Sequence, residues 1–233
     1  MMILDPISDL RRLRDERTDW LLSALTGVLI LLIFVFAPLQ ALGISAFHLF
    51  AIGLLIVIIG GMMIISKSST CLALMSIALA ANVIVFFLRI YYPVPFHLHI
   101  LAGSWLIIAG TLGTVVTGAV FRAGPVTYHR IIGAILLYLL IAVAFSTLYL
   151  FVGLTYQDAI KGIVFNDDRS VASELLYLSF VTLTSTGYGD IIPVHPLARS
   201  LCSIESIIGQ LYPATLLARL VTLEMGSGPI ISS

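Results

Sequence analysis

The chain has 233 residues, of which 60% are hydrophobic and 10% charged, with a mean hydropathy of +1.11. A soluble domain carries nearer half apolar and a quarter charged residues, so this composition belongs in a bilayer. The formal net charge of zero gives no electrostatic case for a nucleic-acid partner, and Cys71 and Cys202 sit in apolar runs as small buried hydrophobes rather than as a disulfide or metal pair.

Residues 1–19 are polar, with Asp5, Asp9, Arg11, Arg12, Arg14, Asp15, Glu16, Arg17 and Asp19. Their spacing suits a short amphipathic helix at the membrane surface, with Ile3, Leu4, Ile7 and Leu10 inward, and equally a solvated leader. Trp20 suits a headgroup-level anchor. Leu21–Ala37 is a continuous apolar run stopped by Pro38. Its length and the lack of a small-residue cleavage site favour a retained first span over a signal peptide. Ala46–Ile65 is the second span, followed by the polar turn Ser66–Ser69. Cys71–Leu88 is the third, closed by Arg89, Tyr91, Tyr92 and Pro93 as an aromatic belt with a snorkelling arginine. His97–Val120 is the fourth, with Gly110, Thr114 and Gly118 on one face. Small residues at that spacing favour close helix packing, and less readily a ligand groove.

Val126–Val152 is the fifth span. Gly153–Ser173 is polar and irregular. Glu174–Thr184 is apolar and hydroxylated but only about 11 residues long, where crossing the hydrocarbon core takes about 20. It fits a re-entrant half-helix whose C-terminal end offers negative dipole to a cation. Pro193 and Pro196 end the re-entrant loop, and Leu197–Leu223 is the sixth span. A Gly/Ser/Pro tail at 226–233 is expected to end the chain without a cytosolic domain. With the amino end in the cytoplasm, the inside receives eight of the 12 Lys and Arg residues: Arg11, Arg12, Arg14, Arg17, Lys67, Arg122, Arg130 and Arg219. Basic residues gather on the cytoplasmic side, so both termini are expected there.

Between the half-helix and the sixth span lies Thr184-Ser185-Thr186-Gly187-Tyr188-Gly189-Asp190. Glycine at alternate positions reaches backbone angles closed to other residues, so such a chain can aim several successive carbonyls the same way. With the hydroxyl-rich Thr182-x-Thr184 approach and the following proline, this stretch resembles the selectivity filter of the tetrameric potassium channels. The resemblance covers about residues 126–223, as outer helix, pore helix, filter and inner helix. It implies an all-α membrane protein of six transmembrane helices, with a re-entrant pore helix and filter between the fifth and sixth. The corresponding organisation is a surface segment at 1–19, a four-helix domain at 20–122, a pore domain at 123–225 and a tail at 226–233.

By the same resemblance, potassium ions are held by the backbone carbonyls of Ser185, Thr186, Gly187 and Tyr188, with Gly189 completing the filter and the Ser185 hydroxyl completing the innermost site. Family members usually place threonine and then an apolar β-branched residue where this chain has Ser185 and Thr186. Serine is less stiff at χ1 than threonine, which puts the strength of potassium preference in question. Thr182, Thr184, Asp190, Tyr177 and Glu205 support the filter. Tyr177 stands where the family often places an aromatic that hydrogen-bonds to the carboxylate at Asp190, plain packing being the alternative. Glu205, costly at membrane depth unless paired or wet, is open between facing the pore helix, accepting from hydroxyls such as Thr182 or Thr184, and facing the cavity. Gly209 aligns with the inner-helix glycine used as a gating hinge, and Pro213 removes a helix hydrogen bond one turn later. Relief of packing is the alternative reading of that pair.

The fourth span has no arginine ladder, which argues against voltage sensing. His48, His97 and His99 fall near the outer face, as interfacial residues or as sensors of external pH. The expected function is a passive potassium-selective channel, a prokaryotic-type homotetramer in the plasma membrane, with K+ as cargo and no organic cofactor. The alternatives are a weakly selective cation channel, or a membrane sensor whose four-helix domain binds an unknown ligand and gates the pore. Nothing in the chain pairs a nucleophile, base or metal ligands as an enzyme requires.

Overall fold

The computed structural model describes residues 20–42, 56, 57, 59–61, 68–91, 96–121, 128–165 and 170–226. Several expectations lie outside these residues: the 1–19 segment, most of the second span, the Ser66–Lys67 turn, His48, the Tyr92–Pro93 belt, and the tail beyond Gly226. The described chain is mostly helical, with α1 at residues 20–41, α2 at Ser69–Tyr91, α3 at Phe96–Val120, α4 at Tyr128–Thr155, α5 at Ser170–Leu183 and α6 at Pro196–Gly226. Two two-residue strands, β1 (Ile160–Lys161) and β2 (Ile192–Pro193), pair antiparallel. Among the described residues four helices are long and apolar enough to cross a membrane: Trp20–Leu39, Leu98–Gly118, Ile131–Thr155 and Pro196–Ala218. Together they make this a multi-pass membrane protein.

These helices form because a chain in lipid must satisfy its own backbone polar groups. Polar side chains inside the spans obey the same constraint. The hydroxyls of Thr26, Ser76 and Ser104 each donate to the carbonyl four residues back, at 2.8 Å in all three cases.

Pro38 does not stop α1, contrary to the sequence reading. The helix widens into a π turn at Leu32–Phe36, where the Ala37 amide bonds Leu32 O, and then runs on to residue 41. Proline has no amide proton and its ring collides with the carbonyl four residues earlier. A turn with one extra residue moves that carbonyl aside, so the helix survives. The same turn carries Phe34 to the ring of Phe180 on α5, centroids 5.2 Å apart.

The main core joins α1 (Leu22, Leu25, Leu29), α2 (Met75, Ala78), α3 (Ile108, Leu112, Val116) and α4 (Ala134, Leu136, Leu140) in one cluster. Leu176 and Phe180 of α5 and Tyr212 and Leu216 of α6 pack against it. A second cluster, with Tyr149, Ile160, Val171, Leu175, Leu178 and Ala198, seats α5 against α4 and the outer turn. The stripe Gly110, Thr114 and Gly118 is exposed, with no described atom near a Cβ at 110 or 118. Close packing of α3 within the described chain therefore uses its other face. The spans of α4 and α6 differ in cover: 61% of the apolar stretch of α4 is buried against 11% of that of α6.

Leu175, only 1% exposed, is the residue whose loss best tests the seating of α5. Leu175→Ala is expected to cost about 2–5 kcal/mol through lost burial and a residual cavity, read as a fall in the thermal midpoint of helical circular dichroism in detergent.

Candidate functional site

The site is built at the C-terminal end of α5. This helix has 14 residues, or about 21 Å at 1.5 Å per residue, too short for a core of about 30 Å. At its end the backbone changes hand. The Thr184 amide still closes a helical bond to Phe180 O at 3.0 Å, and the Ser185 amide bonds Thr182 O at 2.9 Å. The amides of Thr186 and Gly187 then both donate to Val181 O, at 2.8 and 3.1 Å. Ser185, Gly187 and Gly189 take φ of +56°, +53° and +80°, while Thr186 and Tyr188 between them stay at negative φ. A row of carbonyl ligands aimed to one side requires an alternation of this kind.

Glycine adopts such angles without cost, but serine does not. Ser185 is held there from two sides, by its own amide bond to Thr182 O and by Gln210 of α6, whose Nε2 donates to Ser185 Oγ at 2.9 Å. The hydroxyl of Thr184 donates to Phe180 O at 2.7 Å and meets the Thr186 hydroxyl at 2.8 Å. With Thr184's proton committed to the carbonyl, Thr186 is the donor in that pair. Its extra hydroxyl is thus spent locally, against the end of α5.

Tyr177 and Tyr188 stack with ring planes 2° apart and centroids at 6.3 Å. A hydrogen bond to the Asp190 carboxylate pushes the Tyr177 phenol above its ordinary pKa. Residues 184–190 are all exposed within the single chain, Tyr188 by 72%.

Behind the loop, Glu205 is fully buried and faces α5. Its partners are Ser179 and Tyr149, each hydroxyl 2.5 Å from a carboxyl oxygen, rather than Thr182 or Thr184. The reason is register. Ser179 lies nearly one turn before Thr182 on the face of α5 that meets α6, and the Thr184 hydroxyl is taken by Phe180 O. Thr182 offers its carbonyl to Ser206 Oγ at 3.3 Å. Ser179 also bonds Ala142 O at 2.9 Å, and Tyr149 meets Cys202 Sγ at 3.2 Å, so α4, α5 and α6 share one polar cluster.

Gly209 stands against the end of α5: a Cβ there would overlap the carbonyl oxygen of Leu183, which also accepts from Tyr138 at 3.4 Å. α6 runs unbroken through Gly209 and Pro213. One residue before Pro213, Tyr212 donates to Ala134 O at 2.8 Å and stacks on Tyr138.

Beyond the loop, β2 pairs with β1, Ile160 opposite Pro193, and the amides of Val194 and His195 bond Ala159 O. The sequence reading gave no role to His195, whose ring stacks on Tyr156 at 4.1 Å. His99 packs edge-on against Phe151, and the side chain of His97 lies outside the described residues. The sequence reading also missed Tyr138, Tyr149, Ser179 and Gln210. A signal existed: Tyr138 and Tyr149 are 11 residues apart, three helical turns, on one face of an otherwise apolar span. Among the described residues no group of three His, Cys, Asp or Glu side chains gathers to hold a metal.

Residues 133–225, about two-fifths of the chain, match the family model described as ion channel. The loop at 184–190, α5 and nearly all of α4 and α6 fall inside that match. Protein LctB of Bacillus caldotenax is 38% identical over 55 residues, which cover 24% of this chain and 40% of that protein. No solved structure matches the chain.

Glu205→Gln keeps an acceptor for Tyr149 and presents a donor to Ser179, whose own proton can serve Ala142 O. It is expected to keep the thermal midpoint within a few degrees of wild type. Glu205→Leu leaves the Tyr149 hydroxyl without that carboxyl partner in the core and is expected to cost about 1–3 kcal/mol. Thermal melts of the two variants side by side check this.

Proposed function

We propose that the chain is a potassium-selective pore that works as a homotetramer in the plasma membrane, with six spans and both termini in the cytoplasm. The observation that carries the reading is the alternation of left-handed residues at 185, 187 and 189 at the end of a half-length helix. One chain supplies one wall of a coordination cage, and four around an axis replace the hydration shell of a bare cation. The carbonyls of Ser185, Thr186, Gly187 and Tyr188 are the ligands, with the Ser185 hydroxyl below them. Potassium is cargo, and the protein does no chemistry on it. Thr182, Thr184, Tyr177, Asp190 and Glu205 hold the loop from behind and above.

The apolar stripe Ile204, Ile207 and Leu211 on α6, 48–58% exposed, fits burial against the neighbouring copies, as does the bare ring of Tyr188. Gly209 and Pro213 form the hinge. Proline at 213 leaves the carbonyl of Gly209 without its usual donor four residues on, so the helix is weakest where it leaves the filter. A weakly selective cation pore is the second reading, favoured by Ser185 and Thr186 in place of threonine and an apolar residue. Whether the four-helix part binds a gating ligand is part of the same proposal: it packs directly on α5 through Phe34 and Phe180.

Reconstituted protein is expected to pass potassium well ahead of sodium, with a reversal potential near that of potassium in opposed gradients. A reversal potential near zero selects the weakly selective reading. Gly187→Ala is expected to abolish flux while the tetramer persists, because a Cβ opposes φ of +53°; normal potassium flux through that variant counts against the assignment.

Gating is expected to be nearly independent of voltage. Each charge crossing the field contributes about 2.3 kcal/mol per 100 mV, and α3 carries no Lys or Arg. Bilayer recordings that show an e-fold change in open probability over a few millivolts overturn this.

A further inference from the structure

We infer that Gln210 is a selectivity-positioning residue: from the inner helix it fixes the Ser185 hydroxyl, the ligand at the cavity end of the ion path. Threonine at that place owes its fixed hydroxyl direction to the branch at Cβ, and serine lacks the branch. Here the missing constraint is supplied from outside the residue. Gln210 Nε2 lies 2.9 Å from Ser185 Oγ.

The reach is built into the fold. Gly209, with no side chain, lets α6 approach until its backbone meets the carbonyl oxygen of Leu183. Ser206, one turn before Gln210 on the same face, bonds Thr182 O. Both contacts set the height of α6 against the end of α5, so the amide of Gln210 arrives level with Ser185. A hydroxyl oxygen has two lone pairs. One accepts from Gln210, and the other is left for a cation. Gln210 itself needs no contact with the ion; it selects the rotamer in which Ser185 offers its oxygen to the axis. The φ of +56° at Ser185 is disfavoured for serine on its own, and the same bond helps to hold it.

This role rests on the pore reading, and the test separates the two. The full-length tetramer is reconstituted as wild type, Gln210→Met, Ser185→Thr, and the Gln210→Met/Ser185→Thr double variant. Methionine keeps length and flexibility and removes the donor. Gln210 is exposed in the chain, so the fold does not depend on it. The readout is the potassium-to-sodium permeability ratio from reversal potentials. Gln210→Met is expected to lower the ratio about fivefold, the scale of one side-chain hydrogen bond, with the tetramer intact by cross-linking. The double variant is expected to return to within about twofold of wild type, because threonine's branch replaces the lost constraint. A merely structural role for Gln210 moves tetramer yield and is not rescued by a methyl group on residue 185. An unchanged ratio in Gln210→Met, or a double variant no better than the single one, overturns the role of Gln210 while the pore reading stands. A wild-type protein that passes no cation overturns both.

Discussion

The Val181 carbonyl oxygen accepts two successive amides, those of Thr186 and Gly187, and the rest of the site depends on that doubled bond. It is the point at which a helix stops repeating and a chain of alternating hand begins. Left-handed serine is costly, and a loop of this kind collapses unless its amides are satisfied. The end of α5 satisfies them with its last carbonyls, those of Phe180, Val181 and Thr182, which a helix would otherwise leave without partners. The orphan groups of one element thus become the scaffold of the next.

Around that point the protein arranges holds of different chemistry. Tyr138 from α4 and Gly209 from α6 meet the Leu183 carbonyl, one by donating to it and the other by making room for it. Glu205 ties α6 to α4 and α5 through hydroxyl groups in a part of the molecule with no water to compete. Beyond the loop, β1 and β2 fasten the chain leaving it to the turn after α4. The loop at 184–190 itself remains bare in the single chain, and so does much of α6.

Much of this was legible in the sequence, and the failures have physical causes. The half-helix stood out because its length is wrong for a span, and the alternation of glycines announced a backbone of unusual hand. Among the described residues the first, fourth, fifth and sixth apolar runs fold as helices whose ends fall within a few residues of those expected, since lipid enforces helix wherever the run is long enough. Pro38 misled because proline breaks an α-helix of constant pitch, and a change of pitch one turn earlier is invisible in composition. The partners of Glu205 misled for another reason. Thr182 and Thr184 lie beside the loop, while Ser179 sits nearly one turn earlier on α5 and Tyr149 is 56 residues away, a neighbour only when α4 folds back. Gln210 left no signal at all, since a lone glutamine after a glycine carries no periodicity.

The contact at Gly209 has a consequence for heredity. The atom that occupies the space of the missing side chain is a main-chain oxygen, that of Leu183, and every amino acid at 183 brings the same one. No exchange at 183 can therefore make room for a larger residue at 209. A lineage that acquires one must instead change the spacing between two whole helices, through several residues at once, so position 209 is closed to stepwise drift.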